Sequence, residues 1–172
     1  PESEDLLSTI RQVLFLMRIG NPDIVITENV PTMPVTALYD RRLVSQALTN
    51  IVKNATEAIA AYRADGAEPG YKPLIEVNLH IDESQITIDV IDNGKGFPKE
   101  ARARLLEPYM TTRNGGTGLG LAIVGKILEE HGGGIALLDR ADGERGACVR
   151  LWLPNPHSAP TESQQAAPHS GG

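Results

Sequence analysis

Two runs of strand character, Leu74–Ile81 (LIEVNLHI) and Gln85–Ile91 (QITIDVI), are separated only by the polar triplet Asp82-Glu83-Ser84. So short a gap closes a hairpin, and a hairpin pairs its strands antiparallel. Two further runs, Ile135–Arg140 and Ala147–Leu153, flank another polar turn near the end of the chain. Strands clustered in this way, rather than alternating strictly with helices, predict an α+β two-layer sandwich with a mixed or antiparallel sheet.

The helices predicted to cover that sheet follow from apolar periodicity. After Ser3, a candidate N-cap, Leu6, Ile10, Val13, Leu14 and Met17 recur at helical spacing until Gly20-Asn21-Pro22. Ile24–Val30 reads as a strand ended by Pro31 and Pro34. Asp40 is placed to cap a long helix reaching Ala64, with Leu43, Ala47, Leu48, Ile51, Ala55, Ile59 and Tyr62 on its buried side. Asp65–Pro73 is a Gly- and Pro-containing loop. Asp92–Pro98 is a glycine loop, Lys99–Leu106 a short helix, and residues 107–117 irregular. A helix from Leu119 to His131 is stopped by Gly132-Gly133-Gly134. The tail, Asn155–Gly172, offers almost nothing to bury and is expected to be disordered.

At 172 residues the chain is long enough for one ordinary domain with a real core. A net charge of −6 argues against a general nucleic-acid binder, which needs a basic stripe. The single cysteine, Cys148, permits no intrachain disulfide. No apolar run approaches ~18 residues, and the N-terminus has no signal-peptide pattern. Because it begins at Pro1 rather than Met, the chain is expected to be a fragment or processed form of a longer protein.

Three places suggest chemistry. In QALTNIVKNATEA, Asn50, Asn54 and Glu57 are spaced four and three residues apart, so they share a helix stripe bordering the apolar face. An amide oxygen there is a neutral, hard ligand suited to a magnesium ion that already carries triphosphate. Ordinary exposed polar residues are the alternative. In IDVIDNGKGF, a strand ends at Asp92, and Gly94 and Gly96 allow a sharp turn and close approach of a ligand. A carboxylate there can accept a hydrogen bond from an exocyclic amine and so select adenine over guanine; a plain Asp-Asn-Gly turn is the alternative.

The third is NGGTGLGLAIVGKI. Gly115, Gly116, Gly118 and Gly120 run directly into a helix, and free N–H groups at a helix N-terminus favour an anion. Gly120–Lys126 spells G-x-x-x-x-G-K, but Ile127 stands where the Walker loop requires Ser or Thr. The intervening Leu-Ala-Ile-Val also belongs in a packed helix, so Lys126 is assigned to a helix surface. The dinucleotide spelling fails as well, because Ile123 lies three residues after Gly120. Thr111, Thr112, Arg113 and Thr117 surround the glycines and can complete a phosphate shell, with Pro98–Gly116 as a lid. A surface loop with one ordinary Arg is the bland alternative.

In order and appearance these segments resemble the GHKL ATPase superfamily, specifically the catalytic, ATP-binding domain of sensor histidine kinases. LTNIVKNATEAI resembles the N-box, DNGKGF the first glycine box, LLEPYMTTR the F-box region and GGTGLGLAI the second glycine box. EEHGGGI and GERGACVRLWLP resemble the closing strands. The phrase RRLVSQALTNIVKNATEAI is most similar to nitrogen-regulation sensors of the NtrY and NtrB kind, which tend to an acidic residue at the Glu57 position. The resemblance implies a Bergerat-type fold: a mixed, mostly antiparallel sheet of about five strands on about three helices, with an ATP lid. Residues 20–154 would form the ATP-binding domain, 1–19 the end of a dimerisation helix or its linker, and 155–172 a tail.

It also implies roles. Asn54 would bind Mg2+ through its amide oxygen, with Asn50 a second N-box contact and Lys53 near a phosphate. Asp92 would bond the adenine amino group, with Gly94 and Gly96 admitting the base. Thr112, Arg113 and Thr117 would contact phosphates, Arg113 near the γ-phosphate. Gly116, Gly118 and Gly120 would line the triphosphate, with Leu119 and Leu121 packed beneath. Asn50 stands where type II topoisomerases and mismatch-repair ATPases carry a water-activating glutamate, so direct hydrolysis should be poor, and an ATPase of the topoisomerase, mismatch-repair or heat-shock type is the disfavoured alternative. A non-catalytic nucleotide-sensing module is the remaining alternative.

The four histidines are His80, His131, His157 and His169, and none is followed by the acidic residue of an acceptor motif. The acceptor is therefore expected on a separate dimerisation domain of the same parent, with a response-regulator receiver domain as the next partner. The fragment is expected to be monomeric and to touch neither nucleic acid nor membrane. Its expected location is the cytoplasm, in a homodimeric parent anchored in a bacterial inner membrane.

Overall fold

The computed structural model describes residues 1–97 and 118–157. In chain order the elements are β1 (Glu2–Asp5), α1 (Leu6–Gly20), β2 (Val25–Asn29), β3 (Thr36–Tyr39), α2 (Arg41–Ala64), β4 (Leu74–Ile81), β5 (Gln85–Asp92), α3 (Gly118–Glu130), β6 (Gly134–Leu138) and β7 (Ala147–Pro154). The predicted helix over 99–106, the lid and the tail beyond residue 157 lie outside the described residues.

The main sheet has the order β2-β4-β5-β7-β6. Its β2–β4 pair is parallel and the other three are antiparallel, so the predicted mixed, mostly antiparallel sheet forms, with five strands and three helices among the described residues. The hairpin closes as expected: Asp82 Oδ1 accepts from Ser84 N–H at 2.8 Å and from Gln85 N–H at 2.9 Å. Register explains the two faces. Val77, Val90 and Val149 form one cross-strand row, and Leu79, Ile88 and Leu151 the next, all buried. The residues between them, Asn78, Asp89 and Arg150, form a polar row on the opposite face, where Arg150 Nε and Nη2 hold Asp89 at 2.8 and 2.9 Å. One sheet face is therefore apolar and covered by helices, while the other carries this polar row beside a mixed one that includes Ile91, Cys148 and Leu138.

Asp40 caps α2 as the sequence predicts, its Oδ1 accepting from Arg42 N–H at 2.9 Å and Leu43 N–H at 3.3 Å. The buried side of α2 is wider than its predicted stripe. Val44, Val52 and Ala58 are buried as well, while Leu43 and Tyr62 are only half-buried, because the helix meets α1, α3 and the sheet. The N-terminal helix is capped by Asp5 and not by Ser3. Ser3 is held extended in β1, paired with Leu38 of β3, in a two-stranded ribbon the sequence did not reveal. Asp5 Oδ1 accepts from both Leu7 N–H and Val35 N–H at 3.1 Å, joining the cap to the ribbon. Residues 1–19 thus form β1 and most of α1, and Leu6, Leu7, Ile10, Val13 and Leu14 enter the same core as α2 and the sheet.

Candidate functional site

Strand parity decides where Asp92 goes. Ile86, Ile88 and Val90 face the helices, and Asp92 is the next residue of that alternating set. The carboxylate consequently sits at the end of an apolar row, 4% exposed, with Ile75 and Ala147 as its strand partners. Buried carboxylates need hydrogen bonds, and Asp92 Oδ1 accepts one from Gly94 N–H at 2.8 Å.

The glycine loop after Asp92 is docked on α2. Lys95 N–H donates to the Ala58 carbonyl at 3.1 Å. A Cβ on Gly94 would lie 2.5 Å from the carbonyl carbon of Ala58 and 2.6 Å from the nitrogen of Ile59, so only glycine permits this approach. Gly96 turns the chain with φ +84°, and Phe97 packs against the core. Ala58 is one helical turn beyond Asn54, on the same stripe, so the loop bearing Asp92 docks on α2 one turn from Asn54.

On α2 itself, Asn50, Asn54 and Glu57 are half-buried at the border of the apolar face, as their spacing predicts, whereas Lys53 is exposed. The third helix packs on α2. At its C-terminal end His131 donates Nδ1–H to the Ile127 carbonyl at 2.7 Å, and its Nε2 accepts the N–H of Asp40, the cap of α2, at 3.1 Å. The two helices pack along one another from this junction. Gly118 and Leu119 open α3, Gly120 is half-buried, and Leu121 is buried beneath with Val124 and Leu128. Lys126 is exposed, in keeping with rejection of the Walker spelling. Thr112, Arg113, Gly116 and Thr117 lie outside the described residues.

A set of residues beyond these motifs surrounds the loop. Tyr71 OH donates to the Asn93 carbonyl at 2.9 Å, and Arg145 Nη2 donates to the same oxygen at 3.2 Å. The Arg145 guanidinium lies 3.7 Å from the centre of the Tyr62 ring, which meets Tyr71 edge to face at 4.9 Å. The Asn93 side chain ties the loop to the start of β4, donating to the Lys72 carbonyl at 2.8 Å and accepting from Leu74 N–H at 2.9 Å. Lys95 pairs with Asp65 at 2.7 Å. Burial raises the Tyr71 phenol above its ordinary value, against the effect of Arg145, so the hydroxyl remains a donor at neutral pH. No local pattern marks Tyr71 or Arg145, because the register of β4, β5 and β7 brings them together.

Among the described residues, no group of three or more His, Cys, Asp or Glu side chains is arranged to hold a metal ion. No helix among them is long and apolar enough to cross a membrane. His80 is exposed on β4, and the ring nitrogens of His131 are engaged in joining α3 to α2.

The family described as Histidine kinase-, DNA gyrase B-, and HSP90-like ATPase matches residues 39–157. The nitrogen regulation protein NtrY of Azorhizobium caulinodans is 54% identical over 96% of this chain, which spans 21% of that relative's length. The sensory histidine kinase/phosphatase NtrB of Rhizobium leguminosarum is 32% identical over 85% of this chain and 39% of its own. Among solved structures, the mycobacterial sensor histidine kinase MprB superposes with TM-score 0.73 and 27% identity, covering 89% of this chain and 96% of that one. The catalytic domain of histidine kinase ThkA gives TM-score 0.73 with 29% identity, covering 89% of this chain and 94% of that one.

Proposed function

This chain belongs to the histidine kinase-, DNA gyrase B- and HSP90-like ATPase family, as an ATP-binding catalytic domain of the sensor histidine kinase type, and from that premise we propose how it acts. It binds Mg-ATP between the Asn50–Asn54–Glu57 stripe of α2 and the start of α3, with the adenine amino group donating to Asp92. The observation that carries this reading is the buried Asp92 carboxylate, fixed by Gly94 on the same stretch of α2 as Asn54.

The donor set fits magnesium delivered with its nucleotide. Asn54 presents a hard, neutral oxygen, and with no carboxylate or imidazole cluster among the described residues, phosphate oxygens would supply the anionic ligands. Magnesium supplies charge neutralisation on the phosphates; the chain supplies position. Gly116, Gly118 and Gly120 would line the triphosphate, with Leu119 and Leu121 beneath, and Lys53, Thr112, Arg113 and Thr117 would contact its oxygens. Arg113 is proposed nearest the γ-phosphate.

Asn50 and Asn54 are amides and cannot take a proton from water, so the γ-phosphoryl group is spared for a better nucleophile. A histidine nitrogen on the dimerisation domain attacks phosphorus in line, forming the N–P bond as the bond to the ADP oxygen breaks. The phosphoryl group then passes to an aspartate on a response-regulator receiver domain. Residues 1–19 would carry the connection to the dimerisation helices, 20–154 the catalytic domain and 155–172 a tail. The domain is proposed to work as a monomeric unit in the cytoplasm, within a homodimeric parent serving nitrogen regulation.

A trans-phosphorylation assay with labelled ATP and the parent's dimerisation domain tests this. Label is expected on the acceptor histidine, dependent on magnesium and lost in Asn54→Ala. Rapid phosphate release without an acceptor would favour a hydrolytic ATPase. Nucleotide binding with no phosphohistidine would favour a sensing module.

A further inference from the structure

We propose that Tyr71 and Arg145 are positioning residues that aim the Asp92 carboxylate, and so set the preference of the site for adenine over guanine. This inference rests on the proposed role of Asp92 in reading the base. Its basis is one peptide unit, that between Asn93 and Gly94. The carbonyl of that unit receives two donors, the Tyr71 hydroxyl at 2.9 Å and Arg145 Nη2 at 3.2 Å. The N–H of the same unit, on the opposite edge of the same plane, donates to Asp92 Oδ1 at 2.8 Å. Rotation of this peptide would break all three hydrogen bonds together and turn a carbonyl oxygen toward the carboxylate. A glycine follows the carbonyl, so local sterics alone offer little resistance to such a rotation. The resistance comes from these three hydrogen bonds, two of which Tyr71 and Arg145 supply.

Both donors are themselves held. Tyr71 is half-buried, packs against the core, and has Asn93 Oδ1 as a second acceptor at 3.1 Å. Arg145 is stacked on Tyr62 and lies 3.7 Å from Glu68. Its backbone carbonyl accepts from Arg140 Nη1 at 3.0 Å, and Arg140 is in turn paired with Asp142 at 2.6 Å. The loop before β4 and the turn before β7 thus grip the Asp92 loop from outside, while Ala58 of α2 holds it at Lys95. An ionised carboxylate only accepts, so it favours an amino group over a carbonyl on the base in any orientation; fixing its plane in advance removes the cost of ordering it and so strengthens binding of the base that offers the donor.

The test is nucleotide affinity of the whole chain for Mg-ATP and Mg-GTP, measured by calorimetry in Tyr71→Phe, Arg145→Gln, Asp92→Asn and the two double variants. Tyr71→Phe keeps the ring packed on Tyr62 and removes only the hydroxyl. ATP affinity is expected to fall about fivefold in Tyr71→Phe and in Arg145→Gln, with GTP affinity unchanged. On the Asp92→Asn background neither substitution should weaken ATP binding further, because the group they position is gone. Equal weakening of ATP and GTP, full additivity with Asp92→Asn, or no effect in either single variant would overturn the inference while leaving ATP binding itself intact. Failure of the unsubstituted chain to bind ATP would overturn the proposed function and this inference with it.

Discussion

Strand β5 is bounded by two aspartates that make the same local hydrogen bond and do different work. Asp82 Oδ1 accepts from Ser84 N–H, and Asp92 Oδ1 from Gly94 N–H, each at 2.8 Å and two residues on. Asp82 is exposed, and its further donors, the Ser84 hydroxyl and the Gln85 N–H, come from its own turn. Asp92 is buried in the inward row of the strand, and the peptide that holds it is fixed by residues from two other loops. An aspartate turn therefore either reverses a chain or aims a carboxylate. What separates the two is not the turn but the burial and the non-local donors around it.

The comparison breaks most severely at Gly94. Alanine there would place a Cβ 2.5 Å from the backbone of Ala58, which neither α2 nor the loop can yield without moving. Gly94→Ala is expected to cost about 2–3 kcal/mol in urea unfolding and to weaken ATP binding about tenfold or more, as the N–H that holds Asp92 is displaced. Unchanged unfolding would mean the loop is not wedged against the helix.

The smallest effect is expected at the other end of the strand. The backbone N–H groups of Gln85 and Ser84, with the Ser84 hydroxyl, hold the Asp82 carboxyl below the usual carboxylate range. A depressed folded value contributes stability that is present above the unfolded value and lost as pH falls through the folded one. Asp82→Asn should therefore lower Tm slightly at neutral pH, with the gap from the unsubstituted chain closing below about pH 4. ATP affinity should not change. A Tm difference that persists undiminished at low pH would show that the carboxylate charge is not what the turn uses.

Much of this was legible because it is local. The Asp40 cap, the hairpin turn and the helix ending at Gly132 depend on residues within a few positions of one another. The β1–β3 ribbon was not, since each strand is four residues long and its pairing spans the whole of α1. For the same reason Ser3 looked like a cap while Asp5, which also reaches Val35, takes that place. The site divides in the same way. Asn50, Asn54 and Asp92 stand out by spacing and by motif. The alternative of a plain Asp-Asn-Gly turn proves to be half of the answer, since Asp92 makes that turn and is buried as well. Strand parity from Ile86 was the clue to its burial. Tyr71 and Arg145 had no such clue, being brought to Asn93 only by the sheet register.

The most direct test of the account is equilibrium binding of Mg-ATP and Mg-GTP to the intact chain and to Asp92→Asn. The unsubstituted chain is expected to prefer ATP, and Asp92→Asn to weaken ATP by about 10- to 100-fold, the loss of a hydrogen bond to a charged group, erasing the preference. Equal binding of the two nucleotides by the unsubstituted chain, or full ATP affinity in Asp92→Asn, would contradict it.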